Sequence, residues 1–457
     1  MENKVLYHST NRQLNTDEIN GFKEKVTFRE ALFIGQAPDK GLFMPTIIPI
    51  LSKKEIFQLK DKPYHEVAYE ILKRFLSHEI KDEELKSITE DAYTLDIPIE
   101  KLDRYIYIVR LDQGPTGSFK DFAARIMARL MHKLKPENKN ITILVATSGD
   151  TGSAIGEAYK GLEGIKVYIL YPESEVSSIQ KKQLDSIGEN VQSISVKGKF
   201  DDCQNIVKEA FTDPELRRFN LTSANSINIG RILPQIVYYF FSYINTVSKI
   251  QPVVFSIPSG NFGNSVGCEI ARRMGLPVDR IIIATNENDE FPRFLKSGIY
   301  QKIEPSRKCL SNAMNVGNPS NLSRFFDLYN GIMDKDGIVY KKTDIKEMNK
   351  RLYSVAISDE ETVKTIKQIY EKYGIIVEPH GAVGIAALMN YLQENRRMIS
   401  LCIETAHPAK FPEVIKQELN ISPKFPDSLK KMNKKSGAPD YLPNDYSSFK
   451  EYLLNRR

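Results

Sequence analysis

From residue 105 onward the chain alternates short β-rich apolar runs with stretches of helical periodicity, and this rhythm limits the fold more than any other feature. The runs lie at 105–111, 141–146, 167–170, 191–196, 252–257, 280–285 and 399–404. Several are nearly continuous in Val and Ile, as strands buried on both faces tend to be. Helical patterns at 122–134, 151–162, 178–187, 201–211 and 264–274 lie between them. Such alternation predicts parallel sheets covered by helices. A longer helical pattern at 231–247 interrupts the rhythm and marks a seam between two lobes. The first hundred residues differ, with helical patterns at 53–60, 64–76 and 81–93 and little strand signal. The tail is rich in Lys, Pro, Asn and Asp and reads as a surface-wrapping extension. The expected organisation is an N-terminal region over 1–98, a lobe over 99–245, a second lobe over 246–420 and an extension over 421–457.

Bulk properties exclude several functions. With 41% hydrophobic and 27% charged residues, the composition is that of an ordinary globular protein. A net charge of +6 with acids and bases interspersed is no nucleic-acid signature. No apolar run approaches a membrane span, and the N-terminus has no apolar segment of a secretory signal. Cys203, Cys268, Cys309 and Cys402 show no paired spacing, and the six histidines form no HxxxH pair. No metal site or disulfide framework is expected, and a reducing cytoplasm is the expected setting.

Chemistry gathers where strand runs meet helical ones. Lys120 sits in Gly117-Ser118-Phe119-Lys120-Asp121, at such a junction. By default a lysine there is a solvated charge. An amine at a helix start among Phe and Ala residues would instead have a lowered pKa, as imine formation requires. Asp121 reads as a helix-start charge. Two further junctions carry Ser148-Gly149-Asp150-Thr151-Gly152 and Ser259-Gly260-Asn261-Phe262-Gly263-Asn264. Gly260 and Gly263 permit close backbone approach, a helix start offers free N–H groups to an anion, and Asn261 and Asn264 add side-chain donors. Each loop alone is also what a plain strand-to-helix turn looks like, with Asp150 or Thr151 as a helix cap. The 259–264 loop lacks the lysine of a P-loop and the spacing of a dinucleotide fingerprint, so it suits one compact phosphate. The stretch 225–231 adds the donors Asn225, Ser226 and Asn228 and the guanidinium of Arg231. Thr405, with His407 and Lys410 close behind, follows the last strand run. One amine with two anion-holding loops is the equipment of an enzyme carrying a phosphorylated aldehyde cofactor, pyridoxal phosphate.

Six segments in order, GPTGSFKDF (114–122), ATSGDTG (146–152), NSINIGR (225–231), PSGNFGN (258–264), EPHGAV (378–383) and TAHPAKF (405–411), resemble the longer-chain class of the threonine synthase family. The resemblance spans nearly the whole chain, beginning at GLFMP (41–45). It implies an α/β fold of the tryptophan synthase β type, with two open αβ lobes around the cofactor and a mostly helical N-terminal region. It implies Lys120 as the Schiff-base lysine, Gly260, Asn261, Phe262, Gly263 and Asn264 around the cofactor phosphate, Thr405 at the pyridine nitrogen and Asp150 at the ring hydroxyl. Ser148, Gly149, Thr151, Asn225, Ser226 and Arg231 match the substrate site. The implied reaction turns O-phospho-L-homoserine and water into L-threonine and phosphate, in a monomer or homodimer. Many relatives carry His where this chain has Gln113, a change expected to shape the loop. The roles of Glu378, His380, His407 and Lys410 stay open. Competing readings are a threonine or serine dehydratase, a β-replacing synthase of the same fold, or a cofactor-binding relative without catalysis.

Overall fold

The computed structural model describes residues 4–456, apart from 138, 148, 396 and 434–436. Every strand run expected beyond residue 105 forms a strand, and the strands build two sheets. The larger holds, in order, Leu352–Ala356, Val278–Thr285, Val253–Pro258, Ser400–Glu404, Ile106–Arg110 and Ile99–Lys101. All neighbours are parallel except the last pair. The smaller sheet runs Asp440–Pro443, Val191–Lys197, Ile165–Pro172, Ile141–Ala146 and Leu221–Ser223, all parallel.

Ser400–Glu404 is buried throughout and pairs on both sides, Ile403 opposite Val109 and Leu401 opposite both Tyr107 and Phe255. Because these three neighbours run the same way, the segments that leave their carboxyl ends emerge side by side. Those segments are 111–119, 259–262 and 405–407, the junctions singled out above. The carboxyl edge of a parallel sheet is where α/β proteins place their ligands. In the smaller sheet, Ile141–Ala146 and Leu221–Ser223 likewise deliver 147–149 and 224–228 to one place, and the Asn225 amide donates to Ala146 O at 3.0 Å.

The two sheets do not divide where the chain was expected to. A boundary at 245 would put Ile99–Lys101 and Ile106–Arg110 with the smaller sheet, yet both lie in the larger one, where Ile106–Arg110 pairs with Ser400–Glu404, some three hundred residues away. The extension is more than a wrapping: Asp440–Pro443 joins the smaller sheet, and Phe449 and Leu453 of the helix Tyr446–Asn455 are buried against it. The N-terminal region carries a small antiparallel pair, Tyr7–Ser9 with Phe43–Pro45, that alternation alone did not announce. Strand partners are chosen by long-range packing, which local pattern does not encode.

The seam expected at 231–247 is a short turn, Ile229–Arg231, followed by the helix Gln235–Thr246. That helix is apolar on nearly all sides and is buried in a core that also takes Val109, Ile143, Phe255 and Ile281. A helix of this kind must be enclosed. Tyr64 of the N-terminal helix Tyr64–Leu76 closes one flank, its ring edge-on to Phe122 at 5.4 Å and to Phe241 at 5.2 Å.

Truncating the central strand should unfold the frame that positions the site. Ile403→Ala, at a side chain with 1% exposure, should cost about 2–5 kcal/mol. In urea unfolding the midpoint should fall while the slope stays unchanged.

Candidate active site

The loop that carries Lys120 is built around Asp121. Its buried carboxyl accepts from Thr116 N at 2.9 Å and Thr116 Oγ1 at 2.7 Å, and burial lifts its pKa to about 6. Gly114 has no alternative, because a Cβ there would lie 2.2 Å from Asp121 Oδ2. The loop then docks on the segment after the central strand: Phe119 N–H donates to Thr405 O and His407 N–H donates to Gly117 O, both at 2.9 Å. Lys120 is the first residue of the helix Lys120–Leu134. The residue keeps some exposed surface, but its amine is enclosed and lies 4.9 Å from the Phe119 ring centroid. Burial pulls the amine below the usual lysine range; Asp150 opposes that shift, while Lys410 and Arg231 reinforce it. A lysine so placed is a ready nucleophile.

Asp150 opens the helix Asp150–Tyr159 and is nearly fully buried. Its carboxylate pairs with Lys410 Nζ at 2.7 Å and accepts from Gln180 Nε2 at 2.9 Å. Burial alone would raise its pKa, but Lys410 and then Lys120 hold the carboxyl well below the usual range. Lys410 Nζ also donates to Thr116 O at 3.0 Å, tying this pair to the Lys120 loop. Gly149 adopts φ +132°, and a Cβ there would lie 2.5 Å from the Gln180 amide. Thr147 Oγ1 accepts from Gly149 N and Gly152 N at 2.9 Å each. Thr151 is half-buried on the same turn, and Ser148 lies outside the described residues.

The 259–264 loop begins the helix Gly263–Arg273 with Phe262 at φ +62°, unusual for a bulky residue and held by packing against Phe291 at 5.0 Å. Gly260 is pressed close: a Cβ would lie 2.6 Å from Ala313 O. Asn264 and Asn261, expected to donate to a ligand, each donate one hydrogen bond within the protein. Asn264 Nδ2 donates to Pro258 O at 2.9 Å, and Asn261 Nδ2 donates to Ser226 Oγ at 2.8 Å. Largely buried amides must pair, which leaves backbone N–H groups for a ligand. Beside this loop, Arg231 is buried. It donates Nη1 to Ala224 O at 2.9 Å, leaves Nε without a partner and forms no ion pair among the described residues. Burial lowers its pKa to about 10. A buried guanidinium with a spare donor is equipment for an anion.

Comparison with known proteins agrees with this geometry. A family model described as "Pyridoxal-phosphate dependent enzyme" matches residues 93–402. Models described as "Threonine synthase N terminus" and "Threonine synthase, C-terminal" match 7–93 and 381–453. A threonine synthase of Haemophilus influenzae is 40% identical over 443 residues, covering 96% of this chain and 100% of the relative. This chain belongs to the threonine synthase family. A crystal structure of threonine synthase from Escherichia coli superimposes with a TM-score of 0.87 at 34% identity, covering 99% of this chain and 100% of the other. A PLP-bound threonine synthase from Brucella melitensis gives 0.90 at 31%, covering 98% and 99%. The threonine synthase fold is thus that of the pyridoxal-phosphate enzymes, as the motifs implied.

Thr405 is buried, and its carbonyl accepts from the N–H of Phe119, the residue before Lys120. Gln113 is exposed and donates Nε2 to Asp112 Oδ1 at 2.7 Å. His407 Nδ1 accepts from Ala409 N at 3.1 Å, a capping role. Glu378 caps the helix Pro379–Glu394 and meets His380 Nδ1 at 2.5 Å, while His380 Nε2 accepts from Ala313 N at 3.1 Å. That pair therefore supports the backbone pressed on Gly260. Glu404 is buried with Oε2 unpartnered, and burial together with Glu378 raises its pKa far above the carboxylate range. Sequence reasoning gave Lys410 and Gln180 no partner, since nothing local marks Asp150, 260 residues before the one and 30 before the other, as their contact.

Removing the Lys410 cation should strand the Asp150 carboxylate. Because the paired Asp150 has a depressed pKa, its contribution is present above the unfolded value of about 3.9 and is lost as pH falls below it. Lys410→Met should cost about 3–5 kcal/mol at pH 7, and the deficit should shrink as pH falls from 4 towards 3, in urea unfolding at pH 7, 4 and 3.

Proposed function

We propose that this protein converts O-phospho-L-homoserine and water to L-threonine and phosphate with pyridoxal 5'-phosphate bound at Lys120. The observation that carries the reading is an enclosed amine of lowered pKa beside two anion-accepting places, the 260–264 loop and Arg231, in a chain of the threonine synthase family. The residues fit the cofactor: Gly260 leaves no room for a side chain, the helix start at Gly263 offers N–H groups, and Lys120 is reachable from the same sheet edge. Bound there, pyridoxal phosphate would supply the electron sink that makes substrate protons acidic.

In this reading Lys120 would hold the cofactor through its aldehyde carbon and would be free once the substrate amine replaces it. The freed amine would take a proton from Cα and a second from Cβ as phosphate leaves Cγ, and a proton returned to Cγ would leave Cβ open to water. Asp150, kept ionised by Lys410, faces the ring hydroxyl, and the Thr405 hydroxyl faces the pyridine nitrogen. Gly260, Asn261, Phe262, Gly263 and Asn264 surround the cofactor phosphate. Gly149, Thr151, Asn225, Ser226 and Arg231 hold the substrate, with Ser148 proposed beside them. Arg231 suits the leaving phosphate because its unused Nε can complete a paired contact. Enclosure between the two sheets would exclude stray water until it adds at Cβ. The proposal includes a cytoplasmic setting, in keeping with four unpaired cysteines, and a monomer or homodimer. Among the described residues, no helix is long and apolar enough to cross a membrane.

Lys120→Ala should lose both the visible absorbance of bound cofactor and phosphate release from phosphohomoserine; retention of both refutes the assignment. Arg231→Ala should raise KM for phosphohomoserine by about 10–100-fold while the cofactor spectrum stays nearly intact. Loss of cofactor from that variant would show the two anion sites to be wrongly divided.

A further inference from the structure

Two anion-binding segments that come from different sheets are joined by side chains that belong to neither. They lie at the start of the helix Leu322–Leu328. Asn321 occupies the N-cap position, where an asparagine side chain ordinarily accepts from the first turn of its own helix. Here it makes no such bond. Its Nδ2 donates instead to Asn261 O at 2.8 Å and to Ser226 Oγ at 3.2 Å, so one amide holds both segments. Its Oδ1 accepts from Arg324, which fixes the direction of that amide.

Arg324 has no measurable exposure. Its donors go to main-chain carbonyls: Nε to Phe43 O at 3.2 Å, Nη1 to Ser226 O at 2.8 Å and Nη2 to Ile227 O at 2.7 Å. No carboxylate pairs with it among the described residues. A buried guanidinium strongly resists losing these acceptors, so the 226–227 backbone moves with Arg324 and Asn321 rather than apart from them. On the other side, Ser320 donates N and Oγ to Asn261 Oδ1 at 2.7 and 2.9 Å, and Asn261 Nδ2 closes the circuit on Ser226 Oγ at 2.8 Å. Ser226 Oγ thus receives two donors and has its own proton left to offer to an anion.

We propose that Asn321 and Arg324 are positioning residues that bind the 260–264 loop and the 225–231 stretch into one unit, so that filling the cofactor-phosphate site pre-forms the substrate-phosphate site. This rests on the functional reading above and adds the coupling between its two anion sites. Coupling of this kind is reciprocal: whatever one anion gains from the other, the other gains equally. It would order the substrate stretch once the cofactor is seated and leave it looser in the cofactor-free protein. The link needs no movement of either sheet, because the side chains that carry it already span both segments.

The test is amide hydrogen exchange over residues 224–232 in the full chain, with and without saturating pyridoxal 5'-phosphate, whose uptake is followed by its visible absorbance. In the wild-type protein cofactor should slow exchange in this segment by about tenfold or more. Asn321→Ala should still take up cofactor, yet its exchange at 224–232 should be nearly the same with and without it. Arg324→Lys, which loses the grip on Ser226 O and Ile227 O, should show the same loss of response. As a second readout, inhibition of each holoenzyme by inorganic phosphate should weaken by about tenfold in both variants. Equal cofactor-dependent protection in Asn321→Ala and wild type would overturn the proposal. So would a wild-type protein that takes up cofactor without any change at 224–232, a result that needs no variant and leaves the functional reading standing. A wild-type protein that takes up no cofactor would sink that reading and this inference together.

Discussion

Three parallel strands, Ile106–Arg110, Ser400–Glu404 and Val253–Pro258, carry the site between them. Their shared direction brings the lysine loop, the Thr405 segment and the Gly260 loop out on one edge. The hydrogen bond from Phe119 N–H to Thr405 O then fixes how far along that edge Lys120 stands. A slip of one residue in this pairing would turn every side chain of the middle strand to the opposite face. Glu404, now buried beside Gly381, would then point where Thr405 does, and the neutral hydroxyl proposed for the pyridine nitrogen would be lost. Much of the rest of the molecule keeps these strands dry and in register.

The balance of buried charge around that edge is uneven in a useful way. Lys410 and Arg231 both bear on Lys120, and Asp150 answers chiefly to the two lysines. Arg324 adds a fourth cation behind the two loops, its pKa lowered to about 9 by burial alone. Burying cations without matching carboxylates costs free energy, and phosphate groups would offset that cost. The same economy explains the lowered pKa of Lys120, because neighbouring cations and burial both favour the neutral amine. Glu404 shows the opposite adjustment, a carboxyl with Oε2 unpartnered whose pKa burial and Glu378 push upward.

The loops divide their labour between side chains and backbone. Asn261, Asn264, Thr147 and Gln180 use their side chains to hold neighbouring main chain or one another. That frees the helix-start N–H groups to face outward. These contacts hold the main chain of the 147–152 and 259–264 loops, and a loop held in place loses less entropy on binding.

How much of this was legible beforehand follows from the range of each interaction. The alternation of apolar runs, Lys120 at a junction, the glycine-rich turns and the order of six motifs are local, and the chain alone determined the fold class and the cofactor. Strand extents matched because burial on both faces leaves a continuous apolar run. What only the tertiary structure decided is partnership. Ile106–Arg110 crosses to the larger sheet, Asp440–Pro443 returns to the smaller one, Lys410 neutralises Asp150 and Asn321 grips both Asn261 and Ser226. These contacts join residues dozens to hundreds of positions apart, where composition and period carry no information. They are settled by which buried donors and acceptors find one another once the core has closed.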